Sequence, residues 1–437
     1  MEYNKECQPL DDNLLKYVYD EFKKMHYLTT DSRKVIRGSI FVALKGEHVD
    51  ANIYAQQALD AGASLVIIDN AEYYIDERTV LVEDALLFLQ KFANYYRKTF
   101  KIPFIAISGT NGKTTTKELI NAVLAKKYKT HATYGNLNNQ IGVPLTLLSM
   151  KSDCEIAIIE MGASHTGDLT ELCAIAEPDM VILTNIGTAH IEGFGSLEGV
   201  TQAKTELFRY AESINGKIFA NIDDENIRNN TPQTATTFSL QQKADITAQV
   251  VKSESAFAEL IYEDVKIKSR LVGSYNCYNI LAALTIGLYF GVSLGDIKTA
   301  VEDYVPSNNR SQIKKTQKNT LILDCYNANP SSCMYALEAF DSIKASDKRV
   351  FIGAMKELGN TTDKQHRIIA EKVMSMNLKQ AVFVGGEYRN IVKSYNALWF
   401  ENSNEAKEFM STQDIHDALI FIKGSRATQM ERIADAL

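Results

Sequence analysis

The segment PFIAISGTNGKTTTKELINAVLAKK (103–127) constrains the chain most. An apolar run runs into a glycine-containing turn and then into a helical pattern. In Ser108-Gly109-Thr110-Asn111-Gly112-Lys113-Thr114-Thr115, the two glycines let the backbone turn so that its N–H groups face phosphate oxygens. The helix that follows adds partial positive charge at its N-terminus. Lys113 supplies a point charge for β/γ-phosphates and Thr114 a hydroxyl for Mg²⁺. The general pattern G-x-x-x-x-G-K-[ST] asks for glycine at position 107, where this chain has Ile107, so the loop is a variant. A turn that binds nothing is the alternative, and the strand–loop–helix context argues against it. The motif implies nucleotide binding and leaves open what the nucleotide drives.

The rest of the chain fits an α/β frame. At 437 residues about three domains are expected. Residues 1–99 read as a small α/β unit, with strands in SIFVALKG (39–46) and SLVIIDN (64–70), and helices in YAQQALDAGA (54–63) and DALLFLQKFANYYRKTF (84–100). Residues 100–305 read as a central P-loop unit whose strands, EIAIIEMG, DMVILTNIG and GKIFANIDD, alternate with helices, which predicts a mostly parallel sheet. TFSL, DITAQVV and KIKSRL within 230–272 read as an antiparallel patch, and YNILAALTIGLYFG (278–291) as a buried helix. Pro306 opens a third α/β unit, 306–437, with strands in TLILDCYN, KRVFIGAM, QAVFVGG and DALIFIKGS.

Charge and cysteine content narrow the function. Lys plus Arg is 47 against 54 Asp plus Glu, a net charge of −7 with no basic block, which argues against nucleic-acid binding. The start, MEYNKECQPLDDN, lacks the basic and apolar regions of a signal peptide, and no apolar run approaches the roughly 18 residues of a membrane span. The six cysteines form no C-x-x-C pair and read as reduced thiols of a cytoplasmic protein. A monomer is expected, because no long exposed apolar helix asks for a partner.

Several groups stand where a parallel sheet places its ligands. Glu160 ends a strand and His190 follows another; together beside a phosphate loop they suit a metal, although a capping carboxylate and a loop histidine are the separate alternatives. Lys204, on a helix, reads from chemistry alone as solvated. Asn136, Asn138 and Asn139 form an amide-rich loop that suits a peptide or a phosphate, or is a plain turn. Lys423, Ser425 and Arg426 follow a strand and suit a carboxylate ligand, with a solvated basic turn equally open.

The combined pattern resembles the Mur ligases, ATP-dependent amide-forming enzymes of peptidoglycan precursor synthesis. The matching runs are DSRKVIRGSIFVALKGEHVDA (31–51), SGTNGKTTTKE (108–118), GNLNNQIGVPLTLL (135–148), EMGASHTGDL (160–169), TNIGTAHIEGFGSLEGVTQAKTELF (184–208), NIDD (221–224), DCYNANPSS (324–332), MKELG (355–359) and KGSRATQMERI (423–433). YNANP and KGSR resemble the branch that adds D-alanyl-D-alanine to UDP-N-acetylmuramoyl-tripeptide; sister ligases and folylpolyglutamate synthases carry a histidine-containing segment at YNANP.

The resemblance implies a central ATP-binding P-loop domain between an N-terminal UDP-binding α/β domain and a C-terminal Rossmann-like domain. It implies that Gly109 to Thr115 hold ATP, that Thr114, Glu160, His190 and Lys204 hold Mg²⁺, and that Lys204 is carbamylated. Lys113, Glu160, His190 and Lys204 form the catalytic set so implied. Asn276, Asn279, Arg310 and Asp324 are implied as further nucleotide contacts, and Ser32, Arg33, Lys45 and Gly46 as UDP-sugar contacts. Asn329, Lys423, Ser425 and Arg426 fall where the incoming amino substrate is expected. Ala51-Asn52 departs from the Gly-His usual in the family, and Ala354 from the Asp of its Gly-Asp-Met run.

Overall fold

A computed structural model describes residues 6–47, 49–187, 191–251, 256–307, 309–395 and 397–437, with the side chains of Ile191 and Glu192 excepted. Its centre is a seven-stranded sheet. In spatial order the strands are Ile246–Thr247, Thr236–Ser239, Lys217–Asn221, Met180–Leu183, Phe104–Ser108, Ile156–Glu160 and Thr130–Ala132, every pair parallel. All five residues of Phe104–Ser108 are buried, as a central parallel strand requires. This strand has Ile156–Glu160 on one side and Met180–Leu183 on the other. The chain therefore changes direction across the sheet here, which opens a crevice beyond the strand ends.

Alternation along the central strand feeds two cores. Ile105 and Ile107 pack with Leu119, Ile120 and Val123 of helix Lys113–Leu124 and with Ile280 and Leu284 of helix Asn276–Tyr289. That second helix is buried nearly all round, as its composition predicts. Phe104 and Ala106 join Val143 and Leu147 of helix Gly142–Leu148 and Leu169 and Leu172 of helix Asp168–Ala176.

The patch expected over 230–272 is only partly antiparallel. Gln249–Val250, Phe257–Tyr262 and Val265–Val272 form an antiparallel sheet, whereas Thr236–Ser239 extends the parallel one. Phe238 is the reason: it enters the same core as Phe219 and Ile182. An outer strand of a parallel sheet shows the same alternation as a hairpin strand.

The first unit is a four-stranded parallel sheet in sequential order, Leu28–Thr29, Ile40–Val42, Leu65–Ile68 and Thr79–Leu81. Helix Asp12–Met25 precedes it, capped by the Asp11 carboxylate, which accepts from the amides of Asn13 and Leu14. Phe22 from this helix and Phe88, Phe92 and Tyr96 from helix Ala85–Arg97 share one apolar cluster with Phe104 and Leu172. The core thus continues across residue 100. Arg97 fastens the same junction: Nε donates to Ala176 O at 2.9 Å, Nη2 to Glu177 O at 2.7 Å, and the guanidinium lies 3.9 Å from the Phe104 ring centre.

The third sheet runs Gln312–Lys315, Thr320–Asp324, Leu419–Lys423, Lys348–Gly353, Gln380–Val384 and Leu398–Phe400, parallel except for the first strand. The molecule is a three-domain α/β protein with the phosphate loop in its central sheet. Among the described residues no helix is long and apolar enough to cross a membrane.

Candidate active site

The loop after Phe104–Ser108 is shaped by two glycines and clamped by the neighbouring strand. Gly109 has φ +137°, and a Cβ there would meet Thr184 Oγ1 at 2.1 Å. Gly112 has φ +78°, and its Cβ would meet Asn279 Oδ1 at 2.6 Å. Neither position admits a side chain. Asn185 holds Asn111 at two points, its Oδ1 accepting from Asn111 N and its Nδ2 donating to Asn111 O, both at 2.9 Å. Thr184 Oγ1 donates to the same carbonyl at 2.6 Å, and Thr110 N donates to Asn185 O at 2.9 Å. Sequence reasoning passed over Thr184 and Asn185; the available signal was their place at the end of the adjacent strand. Lys113 Nζ donates to Gly109 O at 2.7 Å and Thr110 O at 3.1 Å. Burial depresses the Lys113 pKa; Glu160 opposes that effect and Arg310 adds to it.

A cavity of about 860 Å³ opens on this loop. Thr110, Asn111, Gly112, Lys113, Thr114 and Thr115 line it, together with Asn136, Asn138, Asn139 and Glu160. Glu160 is 1% exposed. Its backbone N donates to Thr133 Oγ1 at 2.9 Å and its Oε1 accepts from Asn138 Nδ2 at 2.8 Å. Its buried Oε2 has no hydrogen-bond partner among the described residues. Asn139 instead serves the turn, its Oδ1 accepting from Gly142 N at 2.9 Å.

Lys204 is not solvated. It ends helix Leu197–Lys204 at 2% exposure, and its Nζ donates to Ala163 O at 3.0 Å. Burial, reinforced by the Lys113 charge and opposed by Asp168 and Glu206, brings its pKa down to about 7. His190 lies outside the described residues. Among the described residues no three His, Cys, Asp or Glu side chains are grouped to hold a metal. The donors present beside the loop are the unpartnered Glu160 oxygen and the amine of Lys204, with the buried Thr114 at the helix start.

The C-terminal unit closes the other wall. Asn329 caps helix Pro330–Asp341 and its Nδ2 donates to Asn111 Oδ1 at 2.8 Å; Asn111 Nδ2 donates to Ser331 Oγ at 3.0 Å. The YNANPSS segment is thereby latched to the phosphate loop. Arg310 stacks on Tyr326, its guanidinium 3.7 Å from the ring centre, and Arg426 lies 5.5 Å from the same ring. Asp324 is ion-paired with buried Lys423, whose pKa is raised: burial is outweighed by Asp324. Ser425 Oγ donates to Ala354 O at 2.7 Å. Asn276 and Asn279 sit beneath the loop, where Asn279 Nδ2 donates to Asn276 Oδ1 at 2.8 Å and its Oδ1 accepts from Thr116 Oγ1 at 3.0 Å. Arg310, Asp324, Asn329, Lys423, Asn276 and Asn279 all line the cavity; Ser425 and Arg426 are not among its lining residues. Asp223 and Asp224, from NIDD, line it too and were not anticipated.

Ser32, Arg33, Lys45 and Gly46, in the first unit, are not among the cavity's lining residues. Arg33 pairs with Asp31 through two bonds of 2.9 Å, which lowers the Asp31 pKa to about 2. Lys45 pairs with Asp69 at 3.1 Å. The unusual Asn52 is fully buried: its Nδ2 donates to Asp50 Oδ1 at 2.6 Å and Asp69 Oδ1 at 2.8 Å, and its Oδ1 accepts from Asp69 N at 3.1 Å. It therefore ties Asp50 to Asp69. Asn52→Ala is expected to cost about 1–3 kcal/mol, because buried partners lose their bonds. A calorimetric scan that shows no drop in Tm would contradict this.

A phosphate loop facing a C-terminal Rossmann-like domain, with a buried carboxylate and a low-pKa lysine beside it, defines an enzyme class that activates a substrate by phosphoryl transfer. The chain belongs to the Mur ligase family. The family profile "Mur ligase middle domain" matches residues 107–287, "Mur ligase, glutamate ligase domain" 309–437, and "Mur ligase family, catalytic domain" 24–97. The UDP-N-acetylmuramoyl-tripeptide–D-alanyl-D-alanine ligase of Bacillus subtilis is 31% identical, with 94% of this chain and 93% of that protein covered. The Escherichia coli ligase of the same name is also 31% identical, at 94% and 93% coverage. A crystal structure of MurF from Acinetobacter baumannii matches with a TM-score of 0.83 at 29% identity, covering 94% of this chain and 93% of that one. The MurF ligase of Thermotoga maritima in complex with ADP matches with a TM-score of 0.82 at 27% identity, covering 94% and 96%.

Proposed function

We propose that the protein joins D-alanyl-D-alanine to UDP-N-acetylmuramoyl-tripeptide, with ATP as the energy source, to give UDP-N-acetylmuramoyl-pentapeptide, ADP and phosphate for peptidoglycan. The observation that carries this is the latch between Asn111 of the phosphate loop and Asn329 and Ser331 of YNANPSS. It puts the phosphate-handling groups and the segment that distinguishes this branch on one cavity.

In this reading residues 1–99 bind the UDP-sugar through Ser32, Arg33, Lys45 and Gly46. Residues 100–305 bind ATP, and residues 306–437 bring the dipeptide. The loop amides of Gly109–Thr115 and the Lys113 ammonium hold the phosphates, with Asn276, Asn279, Arg310 and Asp324 on the nucleotide side. The tripeptide carboxylate attacks the γ-phosphorus, ADP leaves, and an acyl phosphate forms. The dipeptide amine attacks that carbonyl, and the tetrahedral intermediate collapses as the bond to phosphate breaks. Fixed dipoles and Lys113 stabilise the accumulating negative charge in place of water.

Two Mg²⁺ ions fit this reading: Thr114 would belong to the first, and the Glu160 oxygen left without a partner among the described residues, His190 and a carbamate on Lys204 would hold the second. Mg²⁺ bound there supplies charge neutralisation at the phosphates. Asn136 and Asn138 face the cavity beside Glu160, Asn139 shapes their turn, and Asn329, Lys423, Ser425 and Arg426 shape the dipeptide side. The protein acts as a cytoplasmic monomer.

The test is phosphate release from ATP with UDP-N-acetylmuramoyl-tripeptide, with and without D-alanyl-D-alanine, and mass analysis of the nucleotide product. Release that requires both substrates, with a product heavier by one dipeptide residue, is expected. ATP binding without dipeptide-dependent turnover would refute the assignment.

A further inference from the structure

Lys117 follows Lys113 by four residues, on the same face of helix Lys113–Leu124. It is fully buried. An ammonium taken out of water needs polar groups to receive it. The carboxylate of the adjacent Glu118, 2.7 Å away, and the backbone carbonyl of Thr133 do so. Thr133 comes just after the edge strand Thr130–Ala132, which pairs in parallel with Ile156–Glu160. Its backbone N donates to Ile158 O at 3.0 Å. In an evenly spaced parallel ladder the next bond runs from Glu160 N to Thr133 O. Here that bond is replaced. The Thr133 carbonyl accepts from Lys117, and Glu160 N donates to Thr133 Oγ1 at 2.9 Å. The ladder thus ends on a side chain, at the residue whose carboxylate enters the cavity. One carboxylate oxygen of Glu160 is held by Asn138, and the other has no partner among the described residues.

We propose that Lys117 positions the Glu160 carboxylate for a divalent cation, acting through Thr133; this rests on the metal reading of Glu160 above. Neither Lys117 nor Thr133 is among the cavity's lining residues, so neither touches the ion or the nucleotide. The helix that starts with Lys113 and Thr114 also carries Lys117. Phosphate-side groups and metal-side carboxylate are thereby held in one frame. The next residue is fixed from the other side: Met161 N donates to Ile107 O at 2.8 Å, and Ser108 Oγ donates to Met161 O at 2.8 Å. Without the ammonium, the Thr133 carbonyl is released to take Glu160 N in the regular ladder. The strand end then shifts, and the carboxylate shifts with it.

The experiment titrates Mn²⁺, a stand-in for Mg²⁺ read by its EPR signal, into the full-length protein in air-equilibrated buffer without nucleotide. Thr133→Val and Lys117→Met are each expected to raise the Mn²⁺ Kd by about tenfold or more, the size of losing a group that orients a metal ligand. Thr133→Ser keeps the hydroxyl and should bind Mn²⁺ within about twofold of wild type. The double variant should bind within about threefold of the weaker single variant, because both changes break one chain of contacts. ADP affinity measured without metal should stay within about twofold in every variant, since no phosphate contact is removed. The Thr133 pair keeps the test readable if Lys117→Met folds poorly. A lowered Tm with wild-type Mn²⁺ affinity in Thr133→Val and Lys117→Met, while Glu160→Gln loses the ion, would overturn the proposal and leave Lys117 a structural residue. Fully additive losses in the double variant would overturn it as well. A wild-type protein that binds no Mn²⁺, or a Glu160→Gln variant that binds it as wild type does, would overturn the metal reading itself and the proposal with it.

Discussion

Lys113→Met is expected to lower kcat for pentapeptide formation by about a thousandfold, with the fold intact. The ammonium is desolvated, and its bonds go to two carbonyls of its own loop, Gly109 O and Thr110 O. Burial already disfavours its charged form, so removing the charge relieves a penalty while losing two hydrogen bonds. The two effects oppose each other in the free protein, and Tm should move little. In the phosphoryl-transfer transition state neither of the other two cationic side chains that line the cavity takes its place, because Arg310 is stacked on Tyr326 and Lys423 is committed to Asp324. Lys113→Arg should fail as well: the planar fork is larger than an ammonium and the loop around it is clamped by Thr184 and Asn185. Coupled ADP-release kinetics and a thermal scan check both variants; activity within tenfold of wild type would remove Lys113 from the phosphate-handling role.

The phosphate loop was legible because its information is local. A buried strand, two glycines that must adopt positive φ and a helix start lie within one short segment, and each has its own sequence signal. Glu160 was legible for the same reason, as the end of an apolar run. The features that escaped depend on distant chain. Lys204 looks solvated because one helical turn does not reveal that Ala163 and Phe194 cover its amine. Asn52 reads as a neutral loop residue until Asp69 is brought beside it. The parallel placement of Thr236–Ser239 turns on Phe238 meeting Phe219. The apolar core shared across residue 100 joins helices from two units, each of which looks self-sufficient in sequence. Ser32, Arg33, Lys45 and Gly46 were read from a motif, as the cavity residues were, and that they do not line the cavity is visible only in three dimensions.

Removing carbon dioxide from the assay should abolish most of the activity of the wild-type protein, and Lys204→Ala should lose about a thousandfold under any atmosphere. A carbamate forms when a neutral amine attacks CO₂ and releases one proton. An ordinary lysine with a pKa of 10.5 is about one part in three thousand neutral at pH 7. With a pKa of about 7, Lys204 is about half neutral there. The same burial that depresses the amine pKa would penalise an isolated carbamate. The modified form therefore needs a cation; Lys113 is one, and a Mg²⁺ held by Glu160 would be another. Modification should thus be fuller with Mg²⁺ present than without it. Carbon-13 NMR of the protein under labelled CO₂ reads this directly, as a carbamate signal that Mg²⁺ strengthens and that Lys204→Ala lacks. Lowering the pH below about 7 should weaken the signal, since protonation removes the nucleophilic amine. A full rate in CO₂-free buffer, with no carbamate signal, would leave Lys204 as a buried amine that donates to Ala163 and does nothing for the metal.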